Sequence, residues 1–264
     1  MIDLHCHILP GLDDGAQSLD EAVEMARIAE KDGIEKIVAT PHLFRDNYVH
    51  EDLSIIEEKC KELNKTLKVN NIHVEILSGA EVHISHNLIE EIRKNRDYLV
   101  LNKSRYMFVE FPSEHVFSGV QKLFFELMQE DIIPVIAHPE RNSVFVRHPS
   151  LLYELVQMGA PAQANYGSFL GIYGKETKEA VLRFLQLNLI HFIASDGHNT
   201  GSLLPRISEA VMRIEIEVGA ERARALVVDN PKAVLEDREL PFFPEPVNPD
   251  EKKKKLSLKI RFLK

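Results

Sequence analysis

Cysteine is almost missing from this chain: Cys6 and Cys60 are the only two in 264 residues. That excludes a disulfide framework and a thiolate zinc site. No apolar run approaches the length of a membrane span, and no basic segment followed by an apolar one opens the sequence. The expectation is therefore a cytoplasmic protein whose mature form begins at Met1. Positive charge is also in deficit, with 41 acidic residues against 32 basic ones and a net charge of -9. Such a balance argues against a nucleic-acid partner. What is present is ordinary for a soluble globular protein, 44% hydrophobic and 28% charged, and the length suffices to bury a substantial core.

Short apolar runs alternate with longer amphipathic stretches. The runs at 2–5, 34–40, 74–78, 106–111, 132–137, 161–166 and 189–194 read as strands. Apolar residues at three- and four-residue spacing predict helices over 18–32, 51–67, 87–94, 120–130, 149–158, 175–187, 208–218 and 221–228. The first of these opens with a Ser18-x-x-Glu21 capping box and stops at Gly33. Strand and helix in regular alternation predict an α/β fold of parallel strands with crossover helices. At this size a closed barrel of seven strands is the natural form, one short of the usual eight.

The barrel is expected to span residues 1–240. Beyond it, Pro241, Pro244, Pro246 and Pro249 predict a stiff extended linker over the first part of 241–264. The basic, apolar-interleaved residues 252–264 then form a tail, either solvated or docking on an anionic membrane surface or a partner.

The strand ends carry the chemistry. His5 and His7 are two residues apart, so on a strand they share one side while Cys6 faces the other as a small core residue. Alone, such a pair is as compatible with a chance surface arrangement as with a metal site. The other strand ends change its weight. They offer Asp13 and Asp14 in the loop after β-strand one, then His42, Glu81 with His83, Glu110, His138 with Arg141, and Asp196 with His198. Parallel strands bring their C-terminal ends to one face, where distant positions meet. Imidazoles and carboxylates without thiolates suit manganese, iron or zinc, and bridging carboxylates hold ions roughly 3.5–4 Å apart. A multinuclear metal site is therefore expected. Asp13, close to Gly15, reads as a turn former. His50, His73, His86, His148 and His191 read as surface or packing residues, while His83 and His115 lie nearer the mouth.

Asp-Leu-His-Cys-His at the start, Thr-Pro-His42, Gly-Ala-Glu81, Glu110-Phe-Pro, Ala-His138-Pro-Glu-Arg141 and Ser-Asp196-Gly-His198 resemble the signatures of the PHP (polymerase and histidinol phosphatase) superfamily. The resemblance covers roughly residues 1–235. The Leu-Asp-Asp-Gly-Ala loop and the His-Pro-Glu-Arg segment are most similar to the bacterial PHP-type tyrosine-protein phosphatases of capsule and exopolysaccharide gene clusters.

That resemblance implies a distorted (β/α)7 TIM-like barrel holding three divalent metal ions, manganese first, with iron or zinc as alternatives. It implies one ion on His5, His7, Glu81 and Asp196, a second on Glu81, Glu110 and His138, and a third on Asp14, His42 and His198. Asp14 and His42 thereby also stand among the catalytic candidates, with Arg141 forking onto phosphate oxygens. The family's second arginine follows the Asp-x-His motif, and Arg206 is the candidate here, a few residues late. The implied activity is hydrolysis of phosphotyrosine by a metal-activated hydroxide. The implied partner is the C-terminal tail of a bacterial tyrosine kinase that controls polysaccharide export.

The cysteine-nucleophile route to the same product needs an arginine six residues after the cysteine. Leu12 and Thr66 stand at those places, which excludes it. Two alternatives stay open: a small-molecule phosphoesterase such as histidinol-phosphate phosphatase, and a non-catalytic metal-binding module. The short polar loops 44–50 and 113–118 leave little material for a lid, which favours a protein substrate.

Overall fold

A computed structural model describes residues 1–45, 48 and 51–250. The basic tail expected at 252–264, His50 and part of the 44–50 loop lie outside the described residues.

Among the described residues nine strands are formed: β1 (Ile2–Cys6), β2 (Lys36–Ala39), β3 (His42–Leu43), β4 (Glu75–Ser78), β5 (Glu81–His83), β6 (Tyr106–Glu110), β7 (Ile133–Ile136), β8 (Gln163–Asn165) and β9 (Phe192–Ala194). These strands pair with one another in parallel. One sheet runs β1-β2-β4, a second β3-β5-β6-β7, a third β8-β9. Single parallel bridges connect Cys6 to Gly197 and Ile136 to Ala162.

Two of the sequence-predicted strands are each split in two. Pro41 has no N–H to donate to a ladder, and it separates β2 from β3. Gly79 separates β4 from β5 at a close approach, since a Cβ there would lie 2.6 Å from Val38 Cγ1. Beyond the breaks the strands re-pair with His42 opposite Glu81. A backbone ladder therefore sets those two side chains beside each other.

β1 has its own irregularity. Asp3 pairs with Ile37 but Cys6 with Ala39, so β1 carries one extra residue between these pairs. A bulge re-phases the side-chain alternation. Leu4 thus joins an apolar cluster with Ile2, Val38, Phe108, Val135 and Phe192, yet His5 also reaches Phe108, with ring centroids 4.9 Å apart. The cluster forms the floor beneath the histidines. Burying side chains such as Phe108 and Phe192, both 0% exposed, stabilises the fold by about 1.5–3 kcal/mol each.

The helices pack outside this sheet system. Ser18 caps α1 (Leu19–Lys31) by accepting from Glu21 N, and Ala22, Met25, Ala26 and Ala29 form its buried stripe. In α2 (Ser54–Val69) the stripe is Ile56, Cys60, Leu63 and Leu67. Burial pushes the Cys60 thiol up to about 12, leaving it an inert core residue. The other helices are α3 (Leu88–Leu99), α4 (Val120–Gln129), α5 (Ser143–Arg147), α6 (Pro149–Gln157), α7 (Tyr166–Leu170), α8 (Lys175–Gln186), α9 (Ser208–Val218), α10 (Ala220–Arg224) and α11 (Asn230–Leu235). Among the described residues no helix is long and apolar enough to cross a membrane.

The stretch 241–250, expected as an extended linker, packs on the body. The Asn230 side chain pairs with both backbone groups of Phe242, at 3.0 and 2.8 Å. Val247 N donates to Leu187 O at 2.8 Å, and Phe243 stacks on His191 at 4.3 Å. The prolines hold the chain extended, but Phe242, Phe243 and Val247 give it apolar anchors that a solvated linker lacks.

Candidate metal centre

Glu81 is fully buried and stands in the middle of the strand-end residues. Its Oε1 accepts from His138 Nε2 at 2.8 Å. Its Oε2 lies 2.9 Å from His42 Nδ1, 3.4 Å from His5 Nε2 and 3.5 Å from His7 Nε2. Asp196 Oδ1 completes this group, 3.4 Å from each of His5 and His7. Its Oδ2 accepts from Arg141 Nη1 at 3.0 Å and Asn165 Nδ2 at 2.6 Å.

At the mouth, Asp14 Oδ1 lies 3.5 Å from His42 Nε2 and 3.6 Å from His198 Nε2. Glu110 faces His42 at 3.6 Å and His83 at 3.2 Å. His138 and Asp196 hold positive φ angles of 28° and 51°, a strained region for residues with a Cβ, here imposed at the two strand ends that aim side chains into the cluster.

Among the described residues three sets of side chains bring ligand-type atoms within 4.8 Å of one another: His5, His7 and Glu81; His42, Glu81 and Glu110; and His7, Asp14, His42 and His198. Set beside the implied partition, His7 and His42 each fall in two of these sets, while His138 meets the cluster through its hydrogen bond to Glu81 and Asp196 through Oδ1 beside His5 and His7.

Burial opposes charge on Glu81, but His5, His42 and His138 outweigh it and hold the carboxyl well below the usual range. Asp196 is likewise held low by its histidine neighbours against burial. Burial also opposes a charged His138, yet Glu81 raises it to about 9. Carboxylates and imidazoles thus compensate one another in the dark interior, and a proton and a cation compete for the same lone pairs.

One pair of atoms tests whether a cation fits. Glu81 Oε2 and His42 Nδ1 are 2.9 Å apart, yet both are buried without a hydrogen-bond partner. Two buried polar atoms left unmatched at this distance are an unmet demand that a cation held by the cluster would answer.

Asp13 does more than form a turn. Its Oδ1 accepts from Gly15 N at 2.9 Å, as a turn former does. Its Oδ2 accepts from His7 Nδ1 at 2.7 Å and from His42 N at 3.0 Å. His7 therefore keeps its proton on Nδ1 and turns Nε2 to the cluster. Burial opposes the Asp13 charge, but His7 holds this carboxyl below the usual range.

The cleft above the cluster has a volume of about 160 Å³ and is lined by Asp14, Glu110, His138, Arg141 and Asp196 among others. Arg206 is not brought there. Asn199 Oδ1 gathers the backbone N–H groups of Gly201, Ser202 and Leu203, and the tight loop delivers Leu203 to the cleft wall while Arg206 stays exposed. The second arginine at the cleft is Arg45, its Nη1 2.9 Å from His42 Nε2 and 3.4 Å from Glu110 Oε1. The sequence reading missed it, although it follows His42 by only three positions. His83 also reaches the site, through Glu110.

Fold and centre together define an α/β protein with a cluster of metal-ligand side chains where parallel strands end. The chain belongs to the capsular polysaccharide synthesis CpsB/CapC family, whose family model matches residues 1–236. It is 41% identical to the tyrosine-protein phosphatase YwqE of Bacillus subtilis (strain 168), over 96% of this chain and 98% of that protein. It is 30% identical to the tyrosine-protein phosphatase CpsB of Streptococcus pneumoniae, over 90% of this chain and 99% of that protein. A crystal structure from work on YwqE and CpsB, described as unique metal-dependent tyrosine phosphatases, matches with a TM-score of 0.89 at 40% identity, covering 94% of this chain and 99% of that one.

Proposed function

We propose that this chain is a metal-dependent protein-tyrosine phosphatase acting in capsule or exopolysaccharide synthesis. The observation that carries the reading is the convergence of a buried cation-ready cluster with Arg141 in one cleft. Three divalent ions, manganese first with iron or zinc as alternatives, would be held by His5, His7, Asp14, His42, Glu81, Glu110, His138, Asp196 and His198. When bound, such ions supply an activated water near neutral pH and neutralise phosphate oxygens.

The chain's own residues do the rest. Arg141 gives Nη1 to Asp196 and keeps its remaining donors for a phosphate oxygen, a fork suited to a dianion. Arg45 adds a second cation across the cleft. The glutamates and histidines hold their orientation through the backbone ladder and Asp13. A tyrosyl leaving group, with a phenol pKa of about 10, departs with little acid assistance.

The pairings support a distorted (β/α)7 barrel as the frame, with β2 and β3 counted as one strand and β4 and β5 as another. In this reading residues 1–240 are the catalytic body, the location is cytoplasmic, and the substrate is the phosphorylated tail of a bacterial tyrosine kinase. The basic residues 252–264 would then keep the enzyme near a membrane-bound partner, and their deletion should lower membrane association.

The test is turnover of a phosphotyrosine peptide beside histidinol phosphate, with added Mn²⁺, after chelation, and in His138→Ala. Preferred hydrolysis of the peptide, lost on chelation and in the variant, is expected. Preference for histidinol phosphate would overturn the substrate class, and activity surviving both treatments would overturn the metal reading.

A further inference from the structure

β8 supplies no acid or imidazole to the cluster from its end. It carries two amides instead, Gln163 and Asn165, which sit two residues apart and are 0% exposed. Burying two primary amides is costly unless every group is matched, and here they form one directed chain. Asp196 is an acceptor, so Asn165 must present Nδ2 to its Oδ2, at 2.6 Å. That turns Asn165 Oδ1 toward Gln163, which donates from Nε2 at 2.8 Å. Gln163 is left with Oε1 facing His5 Nδ1 at 3.0 Å. His5 must then carry its proton on Nδ1, with the Nε2 lone pair turned inward.

We propose that Gln163 and Asn165 are positioning residues: the pair transmits the polarity of Asp196 to His5, fixing the His5 tautomer and leaving Asp196 Oδ1 for a cation. The inference rests on the reading of the cluster as a metal centre. A carboxylate at either position could not relay polarity, since it only accepts, and a hydrocarbon could not relay anything. An amide does both without adding charge to a site already rich in carboxylates.

The consequence is visible at the next histidine. His7 is fixed as the Nδ1–H form by Asp13, and the relay fixes His5 the same way. When both rings are neutral, the two Nε2 atoms, 3.2 Å apart, face each other as acceptors, a contact that a shared cation converts from repulsive to favourable. Asn165 is itself anchored, because its backbone N donates to Glu140 Oε1 at 2.8 Å and Ser168 Oγ donates to the same oxygen at 2.7 Å.

The experiment is calorimetric titration of the full chain with Mn²⁺ alone, together with imidazole ¹⁵N spectra of the metal-free protein. Gln163→Met and Asn165→Leu are expected to weaken Mn²⁺ binding by about 10- to 100-fold and to release the His5 ring from its single tautomer. Gln163→Glu, which keeps an acceptor opposite His5, is expected to retain the Nδ1–H form. Wild-type affinity and an unchanged His5 tautomer in Gln163→Met and Asn165→Leu would overturn the inference while leaving the metal centre standing. Absence of Mn²⁺ uptake by the wild-type chain would overturn both. Should Gln163→Met not fold, Asn165→Leu carries both the affinity test and the tautomer test.

Discussion

The guanidinium of Arg141 lies over the ring of Tyr173, 4.5 Å from its centre. With Nη1 also bound to Asp196 at 3.0 Å, this arginine is held from two sides before any substrate arrives. A flexible cation would lose entropy on binding phosphate, and a pre-positioned one loses less.

Arg141→Lys removes the fork and the stack while keeping the charge. Steady-state kinetics on a phosphotyrosine peptide should show kcat/KM falling by about 10²- to 10³-fold. Tyr173→Phe should change little, because the Tyr173 hydroxyl is buried without a partner.

Arg45 and Arg206 separate two arrangements of the cleft. Arg45→Ala should lower kcat/KM by about tenfold or more through loss of one charge-assisted contact. Arg206→Ala should stay within about twofold, since an exposed side chain outside the cleft contributes little. The reverse ranking in the same assay would show that the loop after His198 rearranges around substrate.

Asp13→Asn replaces two acceptor oxygens with one. Gly15 N, His7 Nδ1 and His42 N all donate to this carboxylate, so one donor must then face an amide NH₂. Mn²⁺ affinity should fall by about 10- to 100-fold, and the metal-free protein should lose about 1–3 kcal/mol, readable by titration and denaturant melts.

Gly15→Ala is expected to be among the most damaging single changes. A Cβ at Gly15 would lie 2.0 Å from His7 O, so His7 must move or the loop must open. A loss of about 2 kcal/mol or more in denaturant unfolding is expected. Gly201→Ala, where the nearest atom is 3.6 Å away, serves as the tolerated control.

His191 should make stability pH-dependent far from the cleft. Its Nδ1 accepts from Ala162 N at 3.1 Å, and burial, with Arg222 nearby, lowers its pKa to about 3. An unfolded histidine titrates near 6.5. The folded pKa is therefore the lower one, so the contribution is complete above about pH 6.5 and is lost as pH falls toward about 3. Its upper bound is about 4–5 kcal/mol. In parallel melts between these pH values, His191→Asn, which keeps an acceptor for Ala162, should show a shallower decline than the wild type.

The alternating β and α pattern was legible because each strand is a short apolar run and each helix a clear stripe, as in Ala22, Met25, Ala26 and Ala29. The breaks at Pro41 and Gly79 were not, because they depend on what the neighbouring strand presents. The acids and imidazoles of the centre were legible as residue types recurring at strand ends. Asp13 was legible only as half of its role, since the donors it serves on His7 and His42 come together through folding. Gln163 and Asn165 left no trace, because an amide becomes meaningful only when its two neighbours are known. At the other end, Pro231 hid α11 (Asn230–Leu235), although proline suits the first turn of a helix.

The bridge between Cys6 and Gly197 also sets a timetable for the newborn chain. Translation at about 5–20 residues per second separates the first strand from this partner, 191 positions later, by roughly 10–40 s. β2 and most of the apolar floor are made within that interval, but Phe192 and Asp196 come only at its end. The first strand can thus complete its surroundings only when the ninth has been made.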